Sequence, residues 1–181
     1  MRAVFDRLPA RRAAMALLMA FAAAAPSSAP PPVAAAADSL DLGRFGGRWY
    51  VIAARGTGGT HDVGAWFEYE PIGDLTIRET YGTRASSTAG EREVSARTGQ
   101  ADPARPSRWI FRHGWFGSEE RRVLYVSADY RYALQTDASG RQLWVLARQR
   151  QVPEWSYAGL VARLALAGVD VAGLERIEQP E

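Results

Sequence analysis

The sequence predicts an all-β domain, an eight-stranded antiparallel up-and-down β-barrel with one C-terminal α-helix packed outside. Three observations predict it. Beyond residue 38, short strand patterns alternate with turn signals about every 8–12 residues, which is the pattern of a sandwich or barrel. The links are short, so sequential strands pair as antiparallel neighbours, and closure leaves no unpaired edge. A Trp on the first strand (Gly47-Arg48-Trp49-Tyr50-Val51-Ile52-Ala53) and an Arg on the last (Leu143-Trp144-Val145-Leu146-Ala147-Arg148) are placed to meet across the floor of one barrel.

Residues 1–37 read as a leader and tether, and residues 38–181 as the barrel domain. Arg11-Arg12 precede a 13-residue apolar run, residues 13–25, which is short for a bilayer span and fits the apolar region of a signal peptide. Residues 26–37 are rich in Pro, Ala and Ser, as flexible tethers are. The expectation is export to the periplasm or beyond, with Sec and twin-arginine routes both open. The sequence has no cysteine, so neither disulfides nor a Cys-linked lipid anchor is expected.

The formal charge of +2 comes from the leader. Arg2, Arg7, Arg11 and Arg12 against Asp6 give residues 1–37 a net +3, which leaves −1 for the rest. No basic face for nucleic acid is indicated.

The strands follow in order. Residues 48–55 form the first, and the loop 56–64 carries four glycines and His61. Residues 65–70 form the second, and Pro71-Ile72-Gly73-Asp74 turns the chain. The third spans 75–83 and the fourth 92–100. Asp102-Pro103 and Arg105-Pro106 break the pattern before the fifth, 108–113. The sixth, seventh and eighth cover 121–127, 132–136 and 142–148. Pro153 suits the first turn of a helix, with Glu154 favourable at its positive end. Trp155, Tyr157, Val161, Leu164 and Ala165 make its apolar stripe, and Gly168 suits its C-terminal cap. Residues 174–177 suit a short final strand.

Alternation then sorts the side chains. With Trp49 inward, Val51 and Ala53 follow. The other inward sets are Ala65, Phe67 and Tyr69; Leu75, Ile77 and Glu79; Trp109, Phe111 and His113; Arg121, Val123 and Tyr125; Ala133 and Gln135; and Trp144, Leu146 and Arg148. The candidate ligand-binding residues are Phe67, Tyr69, Ile77, Glu79, Trp109, Phe111, His113, Arg121, Val123, Tyr125, Gln135, Trp144 and Leu146. Chain direction puts Glu79, His113, Arg121 and Gln135 toward one open end. An apolar interior with a polar rim suits an amphiphile. Aromatic side chains filling the barrel are the competing expectation. A buried Glu79 needs a partner, with Arg121 and His113 as candidates.

These motifs resemble the lipocalins, specifically the bacterial branch related to apolipoprotein D. Residues 47–53 resemble the family's opening G-x-W-Y-x-I-A. Asp129-Tyr130-Arg131-Tyr132-Ala133-Leu134 resembles D-Y-R-x-A-L, and residues 143–148 resemble L-W-[IV]-L-[SA]-R. The resemblance implies that Gly47, Trp49 and Arg148 are structural, with Arg148 lying across the Trp49 ring. It implies binding of a fatty acid, lysophospholipid or similar lipid, without a cofactor, and leaves peripheral membrane contact and oligomeric state open. The chain departs from the branch at Ser127, where an Asp is usual, and at Gly56–Gly59, where bulkier apolar residues are usual.

Three alternatives stand beside lipid carriage. Glu79 with His113 could act as acid and base in an isomerase or dehydratase. His61 or His113 could ligate haem. A filled barrel could serve as an interaction module. No metal spacing, nucleophile elbow or phosphate loop is present.

Overall fold

The computed structural model describes residues 39–56, 62–112 and 117–181. A four-residue helix, α1 (Leu42–Phe45), leads into eight strands: β1 (Gly47–Arg55), β2 (Val63–Pro71), β3 (Thr76–Arg84), β4 (Glu91–Asp102), β5 (Arg105–Arg112), β6 (Ser118–Val126), β7 (Tyr132–Asp137) and β8 (Leu143–Ala147). Helix α2 (Glu154–Leu166) and a two-residue strand β9 (Glu175–Arg176) follow. Each barrel strand pairs antiparallel with its sequence neighbours, and β8–β1 and β1–β2 pairing closes the ring. The eight-stranded up-and-down barrel is therefore as the sequence predicts.

The two faces of the barrel wall carry two cores. The inner core includes Phe45, Trp49, Tyr69, Ile77, Trp109, Phe111, Val123 and Leu146. The outer core sandwiches Leu160 and Leu164 of α2 against Ile52, Leu134 and Val145. The helix thus packs outside, but on a different stripe from the one expected. Its buried residues are Ser156, Leu160 and Leu164, at strict i, i+4 spacing, while Trp155 is 79% exposed. The polar Ser156 conceals this stripe in the sequence. Pro153 is the N-cap rather than the first helical residue.

Three expectations fail at local irregularities. A β-bulge between Val51 and Ala53 reverses the phase of β1, so Ala54 faces inward and Ala53 joins the outer core. A second bulge, between Val123 and Tyr125, turns Tyr125 out against α2, where Arg163 stacks on its ring at 4.7 Å. An extra residue in one strand re-aims everything beyond it. Pro106 does not precede β5 but lies within it. There the β4–β5 ladder jumps from Asp102–Arg105 to Ala101–Trp109, so no ladder bond is required of its missing N–H.

The floor is built from the opening and closing motifs. Arg148 lies over the Trp49 ring at 3.9 Å. Its guanidinium donates to the carbonyls of Arg48 at 2.8 Å, Gly46 at 2.8 Å, Arg44 at 2.9 Å and Phe45 at 3.1 Å. Several of these are the carbonyls a helix leaves unpaired at its C-terminus, here that of α1. Gly47 has φ +86°, and a Cβ there would stand 3.3 Å from Arg148 Nη1, so the opening glycine serves both backbone and clamp. Tyr130, at φ 56°, completes the floor: its hydroxyl accepts from Asp41 N–H and its carbonyl from Arg148 Nε. At the divergent position, the Ser127 hydroxyl accepts from Arg131 and Tyr132 N–H, and the turn is kept.

The C-terminal segment completes the wall. Strands β1 and β2 pair only from Gly47–Tyr69 to Tyr50–Trp66. Beyond that, β9 pairs with Ala53 and Ala54, and Gly64 N–H donates to Glu178 O. Gln179 Nε2 then bridges the two strands, donating to Val51 O at 2.8 Å and Ala65 O at 2.9 Å.

Candidate functional site

The barrel interior divides into a filled base and a hollow upper half. In the base, Phe45 stacks on Trp49 at 4.8 Å, while Tyr69 and Trp109 meet it at 5.2 and 5.3 Å. Tyr69, Ile77, Trp109, Phe111, Val123, Gln135 and Leu146 are all buried inside the barrel, yet none lines the cavity. The volume of these large side chains consumes the lower barrel. Tyr69 donates its hydroxyl to Gln135 Oε1 at 2.8 Å. Burial, and then the nearby Glu79 charge, push the Tyr69 pKa well above its ordinary value, which keeps that proton in place.

Above the base lies a cavity of about 390 Å³. Val51, Ala54, Ala65, Phe67, Trp144 and Ile177 supply its apolar wall. Its polar wall is Asp62, Glu79, Tyr81, Ser95, Arg97, Glu119, Arg121 and Gln142. Ser95 and Ala96 are exposed, so the cavity reaches solvent on their side. Of the thirteen candidate residues, Phe67, Glu79, Arg121 and Trp144 line it. Tyr125 faces outward, and His113, like His61, lies outside the described residues.

The polar wall centres on two Arg and two Glu. Glu79 on β3 stands directly across from Arg97 on β4. Arg97 Nη2 lies 2.7 Å from Glu79 Oε1 and its Nη1 2.5 Å from Glu119 Oε2. To reach Glu119 on β6, Arg97 passes over the Phe111 ring of β5 at 4.2 Å. Gly99 makes room for that ring, because a Cβ there would stand 2.7 Å from it. Arg121 closes the square, 3.3 Å from Glu79 and 3.0 Å from Glu119. Its guanidinium also stacks on Trp144 at 3.9 Å. Glu79 and Arg121 are each about 3% exposed, so neither is an ordinary solvated charge.

The charges of this square hold one another in place. Burial opposes the charge on Glu119, but hydrogen bonds from Arg97 and Arg121, with their charges, overcome it and hold its pKa at about 2. Burial likewise opposes the charge on Arg97, but its bond to Glu119 and the Glu79 charge raise its pKa. Arg121 Nε, though buried, has no hydrogen-bond acceptor. At the rim, Tyr81 donates to Asp62 at 2.7 Å; burial and that bond raise its pKa.

Sequence reasoning paired Glu79 with Arg121 but missed Arg97, Glu119, Tyr81, Asp62 and Ile177. Tyr81 follows from the alternation of Ile77 and Glu79. Arg97 shares a face with Gly99 and Ala101, small residues that signal an inner surface. Ile177 enters only through the long-range pairing of β9.

An eight-stranded closed calyx with a packed floor, a hollow mouth and an external helix defines the class: the lipocalin-type barrel, a fold that commonly binds small hydrophobic ligands. Residues 40–179 match the lipocalin-like domain, and the chain belongs to that family. Temperature-induced lipocalin-1 of Arabidopsis thaliana is 36% identical over 59 residues, which span 33% of this chain and 32% of that relative. Lobster apocrustacyanin A1 is 12% identical with a TM-score of 0.58, covering 82% of this chain and 91% of that one. Apocrustacyanin C2 matches with the same identity and coverage at a TM-score of 0.57. At such identities these two share the fold alone.

Proposed function

We propose that this chain binds a small amphipathic lipid in the barrel cavity, for transport or storage in a bacterial cell envelope. The cavity above a sealed floor is the observation that carries the reading. The fold commonly binds small hydrophobic ligands. A benzene-sized ligand fits an apolar cavity of about 150 Å³, so 390 Å³ at similar filling holds about 15 non-hydrogen atoms. About ten buried methylenes contribute about 8 kcal/mol gross. Lost freedom takes back several kcal/mol. The tail lies against Phe67, Trp144 and Ile177, and the head meets the polar wall.

The leader-like residues 1–37 support export, and the three sequence motifs support the bacterial branch. The isomerase reading is weaker, because both oxygens of Glu79 already accept from arginines. A general base needs a lone pair within reach of the substrate's proton. The test is native mass spectrometry of the domain after exposure to a lipid mixture. One bound amphiphile of defined mass is expected. A spectrum of the unliganded chain alone, across fatty acids, esters and lysolipids, refutes the reading.

A further inference from the structure

We infer that the cavity selects an uncharged head group, and rejects free carboxylates and other anions. The inference rests on the lipid-binding reading and concerns the head of that ligand.

Both cavity arginines are already spent. Arg97 is shared by Glu79 and Glu119, and Arg121 by the same two carboxylates. With Asp62 added, the described lining carries three carboxylates against two guanidiniums, a net −1. An incoming carboxylate therefore finds no unpaired cation there. To reach Arg121 or Arg97 it must displace Glu79, about 3% exposed, or Glu119, about 30% exposed, from a guanidinium in a wall that is already acidic. A buried charge stripped of its partner is strongly unfavourable. Proximity to the acidic excess adds like-charge repulsion.

The wall also holds its ion pairs rigidly. The Trp144 ring under Arg121 fixes the guanidinium plane. Arg121 Nε and Gln135 Nε2 are buried, so neither presents a free donor to an incoming anion. A neutral ester or alcohol head asks for no exchange of ion-pair partners.

The test uses one tail with two heads. Decanoate and methyl decanoate are titrated into the domain at pH 8, with Trp fluorescence as readout. The ester is expected to bind at least tenfold more tightly. As pH falls through the acid's own pKa, decanoic acid becomes neutral and is expected to approach the ester's affinity. Glu79→Gln leaves Glu119 as the one carboxylate of the square for both arginines and turns the described lining from −1 to neutral, and the decanoate affinity is expected to rise at least tenfold with the ester little changed. Glu119→Gln, at a partly exposed position, tests the same exchange if the first variant does not fold. Equal affinities, or a preference for decanoate in the wild-type protein, overturn the selectivity and leave lipid binding standing. No binding by either head at any pH overturns both.

Discussion

Arg148→Lys isolates the floor clamp, because it keeps the charge and removes the planar fork. The arginine makes four bonds to the carbonyls of residues 44, 45, 46 and 48, a fifth to Tyr130 O at 3.3 Å, and a stack on Trp49. Its burial lowers its pKa, and no carboxylate contributes to that shift. Carbonyl dipoles therefore do the work an acid would otherwise do. A lysine ammonium has three donors on a single nitrogen and cannot reach carbonyls spread along α1 and β1 together. Losing two bonds to a charged donor costs about 3 kcal/mol, and losing the stack about 1 kcal/mol more. Some of this returns as the half-buried head rehydrates, which leaves about 2–4 kcal/mol. For a domain of this size that lowers Tm by about 5–12 °C. Denaturant unfolding followed by Trp fluorescence checks the free energy, and calorimetry checks Tm. A variant that melts within about 1 °C of the parent refutes the clamp.

Gln179→Ala removes the side-chain bridge between β1 and β2 and leaves Val51 O and Ala65 O without their donor. A loss of about 1–3 kcal/mol is expected in denaturant melts, and an unchanged midpoint would show the bridge to be idle. Glu119, with its pKa held near 2 against an ordinary 4.5, contributes stability above pH 4.5 that is lost as pH falls toward 2. The shift corresponds to about 3 kcal/mol, reduced by solvent screening to about 1–2 kcal/mol. The gap in unfolding free energy between wild type and Glu119→Gln should therefore shrink between pH 6 and pH 2.5, and a constant gap contradicts the pairing. Gly82→Ala would place a Cβ 2.2 Å from the Trp66 ring, which lies flat on the outer sheet under Arg48. Overpacking of about 1–3 kcal/mol is expected, read as a lower Tm with a shifted Trp emission; a variant as stable as the parent argues against that close approach.

Strand number, order and the floor pair were legible in the sequence because they rest on strong, local signals. Period-2 alternation between turn residues marks each strand, and a Trp and an Arg at the two ends of the strand run meet only if the run closes. The phase within strands was legible as far as the first bulge. Val51 and Val123 face inward as alternation demands, and Ala53 and Tyr125 do not, because an inserted residue leaves no reliable mark in a single sequence. The charged square was half legible. A glutamate on an inward face announces that a cation must meet it, and Arg121 was available. Arg97 was hidden because its strand, Glu91–Asp102, is polar along most of its length and exposed on both faces near the mouth.

The hollow and the charges belong to one arrangement. Eight strands of this length enclose more space than the inner side chains occupy, and the bulky aromatics gather at the floor, where Trp49 and Arg148 must seal it. Higher up, small residues such as Ala54 and Ala65 face inward, and the space they leave becomes the cavity. Unpaired charges on such a wall would draw water into the cavity and hold it there. Paired as two arginines with two glutamates, they present a wall whose charges are largely cancelled, stiffened by the stacks on Phe111 and Trp144. That stiffness keeps each arginine with its glutamates, which is the basis of the proposed discrimination between charged and neutral heads. A loose or lone arginine in the same place would bind a carboxylate indiscriminately, and the chain would then be a different kind of carrier.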